Sequence, residues 1–301
     1  MHPDQRAAMV HGLVAVLLWS TVASAFKLSL RQLTPVQLLF YASLVSLLFL
    51  ATLLAFRGQL LRTLKQPFPV LVRQGLPGLL NPWLYYLVLF KAYDLLPAQI
   101  AQPLNYSWSI TLTLLAVPLL GEKLHWPQLA AIVISYLGVV IIAMGGESAT
   151  SGSLSIPGVF LALGSTLIWS LYWLWESRSG RDPVPGLFLN FLVALPFVMA
   201  TLIFGDGFLP ANPAGLWGAF YVGIFEMGLT FVIWMKALQL ARNTAAVTSL
   251  ICFSPFLSLV LIHFLVGEII LPSSYTGLLF IVAGTILLHR DIIRRGAETP
   301  P

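Results

Sequence analysis

Ten long stretches of this 301-residue chain contain no aspartate, glutamate, lysine or arginine, except that Glu226 interrupts the eighth. A membrane-spanning helix needs about 20 mainly apolar residues. We therefore predict an all-α integral membrane protein with ten transmembrane helices. These predicted helices, called spans 1 to 10, cover residues 7–26, 32–56, 74–90, 95–121, 124–146, 148–175, 183–205, 207–235, 243–267 and 269–289.

The composition supports the membrane class and argues against several others. Hydrophobic residues make up 58% of the chain and charged residues only 9%, whereas soluble domains carry about 25% charge. The net charge of +5 comes from basic residues scattered over short loops, which does not indicate a nucleic-acid partner. Because Cys252 is the only cysteine, the sequence predicts neither a disulfide nor a zinc site, and no cofactor.

The basic residues also predict the orientation. If the N-terminus is cytoplasmic, thirteen of the sixteen lysines and arginines lie on the cytoplasmic side, and Lys27, Arg31 and Lys91 lie opposite. Basic residues prefer cytoplasmic loops. We therefore predict a multi-pass protein of the plasma (inner) membrane with both termini in the cytoplasm.

The chain also repeats itself at an offset of about 145 to 150 residues. Lys91-Ala92 corresponds to Lys236-Ala237, Gly138 to Gly284, and Trp19-Ser20 to Trp169-Ser170. Each copy holds an odd number of spans, so the second copy must enter the bilayer from the opposite side. Inverted repeats of this kind are typical of secondary transporters, which bind substrate near the midplane between the two halves.

The repeat divides the chain into four parts. We predict a first repeat at residues 7–146 and a Gly/Ser/Thr-rich connection at 147–157. A second repeat at 158–290 and a cytoplasmic tail at 291–301 follow. Spans 1, 3, 4, 6, 8 and 9 are expected to enclose a central cavity, and spans 5 and 10 to brace it. A self-contained repeat of this kind favours a monomer.

Two segments resemble a known family. Pro118-Leu119-Leu120-Gly121-Glu122, followed by Trp126-Pro127 and Gly138, is similar to a signature of EamA-type transporters in the drug/metabolite transporter superfamily. Gly267-Glu268 with Gly277 and Gly284 resembles the same signature again. The tryptophan-rich pattern and residues 81–86 look most like the YddG-type aromatic amino-acid exporters. The resemblance implies ten helices, a central cavity and export of amino acids or related metabolites.

Glu226 is the only acidic residue well inside a predicted span. Such a group costs about 2.5–3.5 kcal/mol on insertion scales, so it should face the protein interior or water. The repeat offset aligns Glu226 with Asn81 and Thr230 with Tyr85, and we expect Asn81 and Glu226 to face each other across the repeat axis. Glu226 would bind a substrate ammonium group or a proton; the alternative is a protonated side chain that holds helices together.

Further candidate substrate-binding residues lie on spans 4 and 9 and among the aromatic residues. Span 4 carries polar side chains at helical spacing, and span 9 carries small polar ones. Trp19 and Trp169 are repeat partners in mid-span. Helix packing is the open alternative for all of them. The remaining candidates are Gln102, Asn105, Tyr106, Ser109, Trp173, Thr248 and Cys252.

The sequence thus favours a secondary transporter that exports aromatic, bulky or neutral amino acids, or related small metabolites, by alternating access. A multidrug, organic-cation or other metabolite exporter of the same superfamily is the alternative. An intramembrane enzyme is disfavoured, because the chain has no His-Glu-x-x-His, no Gly-x-Ser-x-Gly and no paired intramembrane aspartates. Whether export is coupled to protons stays open.

Overall fold

The computed structural model describes residues 4–121, 125–145, 154–179, 181–242 and 244–298. These residues form helices joined by short connections, with no β-strand among them. Glu122, Lys123 and most of the predicted connection at 147–157 lie outside the described ranges. In chain order the α-helices are α1 (Gln5–Leu30), α2 (Pro35–Phe56), α3 (Leu60–Leu64), α4 (Phe68–Gly75), α5 (Tyr85–Leu95), α6 (Ala98–Tyr106), α7 (Trp108–Leu120), α8 (Trp126–Gly145), α9 (Ile156–Ser177), α10 (Pro183–Phe204), α11 (Gly215–Tyr221), α12 (Thr230–Leu240), α13 (Thr244–Thr248), α14 (Ser254–Leu261) and α15 (Pro272–Glu298).

Seven helical units in the described ranges are long and apolar enough to cross a membrane. Pro272–Leu288 is a shorter apolar helix. The architecture is therefore that of a helical protein that crosses a bilayer several times. The seven units are Gln5–Leu30, Pro35–Phe56, Trp126–Gly145, Ile156–Glu176, Pro183–Phe204, Gly215–Leu240 and Ala246–Val266.

Spans 3 and 4 are not among these seven, and the helices of both are interrupted. In span 3, a 3₁₀ turn (Leu76–Leu79) and a π turn (Leu80–Leu84) separate α4 from α5, and Asn81 has non-helical angles of φ −138° and ψ 115°. In span 4, α6 ends and α7 begins on either side of Ser107, four residues after Pro103. Proline provides no backbone N–H and weakens the helix around it.

The second half is irregular at corresponding places. A π segment (Val222–Leu229) joins α11 to α12, and a 3₁₀ segment (Ser249–Phe253) joins α13 to α14. Glu226 therefore lies in a π segment, as its partner Asn81 does in the first half. Short π segments within helices are frequent at functional sites.

Glycines allow four helices to approach closely. A Cβ at Gly277 would lie 2.5 Å from the carbonyl oxygen of Gly138, and one at Gly284 would lie 2.5 Å from that of Ala131, so α8 and α15 are in direct backbone contact. Likewise, a Cβ at Gly223 would lie 2.5 Å from the Ala42 carbonyl oxygen of α2. Small residues at helix crossings are the usual means of close packing in membranes.

The predicted cytoplasmic tail at 291–301 begins as a continuation of the last helix. Helix α15 runs without a break to Glu298, so the backbone of residues 291–298 continues the last helix. Arg290, Arg294 and Arg295 interrupt the apolar pattern there, but they are good helix formers and do not end the helix.

Candidate functional site

A cavity of about 570 Å³ lies between the two halves of the chain. Its lining extends from Phe26 and Tyr93, at one end, to Ala116, Leu174 and Leu238 at the other. In the described chain, spans 2 and 7 contribute no residue to this lining.

Spans 5 and 10 do reach the cavity. Gln128 of α8 and Ile281, Val282 and Thr285 of α15 belong to its lining. These two spans therefore form part of the wall as well as packing against each other, and the expectation that they only brace the cavity is wrong.

Eleven of the thirteen predicted site residues line this one cavity. They come from six predicted spans and from both halves, and the helical spacing that singled out span 4 does place its polar residues on the cavity side. The eleven are Trp19, Tyr85, Gln102, Asn105, Tyr106, Ser109, Trp169, Trp173, Glu226, Thr248 and Cys252.

Glu226 is held from one side by an aromatic residue of another helix. The Tyr86 hydroxyl donates a hydrogen bond to Oε1 at 3.1 Å. The other oxygen, Oε2, is buried and has no hydrogen-bond partner. The side chain is 9% exposed, so this oxygen is an unpaired acceptor in a largely buried site.

Aromatic rings enclose the same region. Trp169 packs against Tyr85 with ring centroids 4.5 Å apart, and lies 6.0 Å from Phe231. Phe231 in turn lies 5.7 Å from Trp19. The rings link α1, α5, α9 and α12 around the centre of the cavity. Aromatic faces and edges of this kind bind apolar groups and also attract cations.

The polar residues of span 4 have partners of their own. The Asn105 amide donates to the Ser165 hydroxyl at 2.9 Å and accepts from the Tyr85 hydroxyl at 3.4 Å. Ser109 and Thr285 share a hydrogen bond of 3.2 Å. Gln102 differs, because its Oε1 atom is buried without a partner.

Asn81 and Thr230 lie outside the cavity lining. Asn81 is 1% exposed, and its Oδ1 atom is buried without a hydrogen-bond partner. The Thr230 hydroxyl donates to the Phe225 carbonyl within the π segment. The expectation that Asn81 and Glu226 face each other is therefore corrected. An equal position in the repeat does not give an equal side-chain direction, because the backbone of Asn81 is non-helical.

Sequence reasoning missed several residues that surround Glu226. Tyr86 and Phe231 are partners at the repeat offset of 145, and each follows a residue that was singled out, Tyr85 or Thr230. Trp234 also lines the cavity, and its ring centroid lies 5.4 Å from that of Trp19. Its repeat partner Leu89 also lines the cavity, which the offset of 145 could have revealed.

Comparison with known proteins identifies the family of this chain. Residues 6–144 and 156–290 each match the EamA-like transporter family, which together is most of the chain. The chain belongs to the EamA-like transporter family. A protein of known crystal structure shares this fold with a TM-score of 0.67 at 23% sequence identity, over 98% of this chain and 100% of the other.

Curated relatives of this EamA-like chain include named exporters. "Aromatic amino acid exporter YddG" of Ancylobacter novellus is 28% identical over 248 residues, which are 77% of this chain and 79% of the relative. "Probable terminal-alkyne amino-acid exporter" of Streptantibioticus cattleyicolor is 25% identical over 62% of this chain and 63% of its own length. "Uncharacterized transporter YvbV" of Bacillus subtilis is 22% identical over 95% and 92%. Family and relatives indicate a multi-pass membrane transporter rather than an enzyme.

A group of polar contacts lies next to Phe26 and Tyr93 at one end of the cavity; it is here called the Glu268 cluster and is defined by Lys27, Gln99, Glu268 and Ser274. The Glu268 carboxylate accepts hydrogen bonds from the backbone N–H groups of Ala98 (2.8 Å) and Gln99 (3.0 Å) at the start of α6. The Gln99 side chain donates to the Ile269 carbonyl (2.8 Å) and accepts from Ser274 (3.1 Å).

Lys27 completes this cluster beside the cavity. Its ammonium group donates to the carbonyls of Tyr93 at 2.7 Å and Leu96 at 2.8 Å. Phe26 and Tyr93, which line the cavity, pack 5.3 Å apart at this end. The cluster thus ties α1 and α5 together and joins the start of α6 to the connection before α15, directly beyond the end of the cavity.

Proposed function

We propose that this chain is a secondary transporter that exports amino acids with aromatic or other bulky neutral side chains, or related small metabolites. The observation that carries the proposal is a cavity of about 570 Å³ lined by aromatic rings around one acidic residue. That volume lies within the range of about 300–1,000 Å³ typical of small-molecule sites. Two relatives bear names of amino-acid exporters, which agrees with this substrate class.

The architecture proposed for transport is ten spans in two inverted repeats, at 7–146 and 158–290, joined by 147–157 and followed by 291–301. Two family matches, at 6–144 and 156–290, support a division into equivalent halves. The π segments around Asn81 and Glu226 support it further. Beyond the seven long helices, the proposal needs the interrupted spans 3 and 4 and the shorter span 10.

Alternating access is the proposed mechanism, in a monomer of the plasma (inner) membrane with both termini cytoplasmic. In that orientation the Glu268 cluster lies at the outer end, and Ala116, Leu174 and Leu238 lie toward the cytoplasm. The described state would then receive solute from the cytoplasm. Release would require the Glu268 cluster to open and the inner end to close.

Each site residue has a proposed role. Glu226 binds the ammonium group of the solute or a proton, but one carboxylate cannot hold both, so the two would exchange. Trp19, Tyr85, Trp169 and Trp173 would contact the apolar side chain. Six other cavity residues would provide polar contacts: Gln102, Asn105, Tyr106, Ser109, Thr248 and Cys252.

Reconstitution into liposomes tests the proposal. Purified protein should accelerate flux of labelled aromatic amino acids, and Glu226→Gln should reduce that flux strongly. Asp206→Asn serves as a matched control, because Asp206 is exposed and lies outside this cavity. Lack of flux for a broad panel of amino acids and related metabolites would refute the proposed function. Unchanged flux in Glu226→Gln would refute the role of that residue.

A further inference from the structure

The ionisable side chains that line the cavity in the described chain provide negative charge but no positive charge. Among the described residues that line it, Glu226 is acidic and none is a lysine, arginine or histidine. A free amino acid brings two charges, an ammonium group and a carboxylate. The lining therefore offers a countercharge to the ammonium group only. A buried charge without a partner is costly unless hydrogen bonds compensate for it.

No neutral donor of the lining carries a charge that would balance a carboxylate, and two polar side chains bond to protein neighbours. The Asn105 amide donates to Ser165, and Ser109 bonds to Thr285. Gln102 presents an unpaired oxygen, which repels a carboxylate in that orientation. The Trp173 indole nitrogen is the one buried donor of the described lining that has no partner.

The lining does contain groups that stabilise the ammonium group of a solute. Tyr86 bonds to Glu226 Oε1 and leaves Oε2 unpaired. The rings of Trp19, Phe231 and Trp169 form a continuous series beside it, at centroid distances of 5.7 and 6.0 Å. A carboxylate beside aromatic rings is a favourable site for an ammonium ion.

We propose that this cavity selects for a lone positive charge on an aromatic or bulky apolar solute. Primary amines, and amino-acid derivatives whose carboxylate is absent or neutralised, would bind more tightly than the corresponding zwitterionic amino acids. This rests on the proposed function, because the same cavity must bind both kinds of solute. Glu226 is then the residue that determines specificity.

Three probes that differ only in their charged groups test this inference. Phenethylamine carries the ammonium group, 3-phenylpropanoate carries the carboxylate, and L-phenylalanine carries both. Binding to the purified full-length chain is measured by quenching of tryptophan fluorescence and by calorimetry. We expect phenethylamine to bind at least about tenfold more tightly than L-phenylalanine, and 3-phenylpropanoate to bind weakest. Glu226→Gln should remove the difference between the first two.

The outcomes separate the two proposals. If L-phenylalanine binds as tightly as phenethylamine or more tightly, the charge preference is overturned and amino-acid export stands. If neither binds and no solute of a wider panel does, both proposals fall. Gln102→Lys supplies a cation for the carboxylate and should narrow the preference for phenethylamine. The comparison in the unmodified chain decides the question even if that variant does not fold.

Discussion

At Glu226, one carboxylate oxygen accepts a hydrogen bond from Tyr86 and the other accepts none. The first contact fixes the side chain, and the second oxygen can meet a ligand. A hydrogen bond to a charged group contributes about 1.5–3 kcal/mol. The position of the carboxylate therefore depends on a tyrosine that has no charge of its own.

Tyr86→Phe should raise the KM for transported solute by about tenfold, because Glu226 loses the bond that orients it. The fold should persist, since the ring stays in its packed position. Initial rates in liposomes measure the change. Tyr136→Phe is the control, because Tyr136 packs outside the cavity lining. Equal KM values for both variants would show that Tyr86 does not position the carboxylate.

Trp169→Leu should weaken binding of aromatic solutes more than binding of aliphatic ones. Trp169 contacts Tyr85 and Phe231 in the cavity, and its loss removes an aromatic face. Trp217→Leu provides the comparison, because Trp217 is 77% exposed in the described chain and lies outside the cavity. Dissociation constants for phenylalanine and leucine measure the effect. A uniform loss for both solutes would argue for a packing role alone.

The sequence predicted that Glu226 faces the protein interior, because a charged side chain in contact with lipid is costly. It did not predict the direction of Asn81, because the repeat offset aligns chain positions while the local backbone sets the direction of a side chain. Tyr86 aligns with Phe231 at the repeat offset, but the sequence does not show that its hydroxyl bonds to Glu226. Partners of a buried charge become visible only when helices are placed in space.

The helices of this protein differ in how closely they pack at their glycine residues. The α8–α15 crossing brings glycine against a backbone carbonyl, whereas Gly164 of α9 has no atom within 4 Å of an added Cβ. The apolar stretches predicted most of the long helices, since length and hydropathy suffice for them. The breaks at Asn81 and Ser107 were harder to place, although Pro82 and Pro103 lie nearby.

Gly277→Ala should destabilise the protein by about 1–3 kcal/mol, the usual cost of overpacking a close contact. The added methyl group would lie 2.5 Å from the Gly138 carbonyl oxygen, so α8 and α15 must separate. Thermal unfolding in detergent measures the loss. Gly164→Ala is the matched control and should leave stability unchanged or raised by up to about 1 kcal/mol. Similar unfolding temperatures for both variants would contradict the close crossing.

At the scale of the whole molecule, the first helix of each half packs against helices of the other half. Helix α1 packs against α12 and α14 of the second half, and α9 packs against α5 and α7 of the first. The repeat in the sequence predicted a cavity between halves, and eleven predicted residues do meet there. It could not predict the Glu268 cluster, because those contacts join side chains to groups far apart in the chain.

In the proposed orientation, Glu268→Ala should open the outer end of the cavity. The variant loses the carboxylate that accepts from Ala98 and Gln99, while the other helices keep their packing. We expect more reactive access to the cavity from the outer side and a lower flux of solute. Lys91→Ala is the control, because Lys91 forms an exposed ion pair with Asp94. If Glu268→Ala does not change access to the cavity from the outer side, the Glu268 cluster does not close the cavity.

Cys252 gives the most direct test of the central claim that this cavity is the transport path. It is the only cysteine in the chain and lines the cavity. A membrane-impermeant maleimide should label it from the cytoplasmic side in inverted vesicles and only weakly from the outer side of intact cells. A transported solute should slow the cytoplasmic labelling, and Cys252→Ser should abolish it. Labelling that is equal from both sides and indifferent to every transported solute would contradict the account.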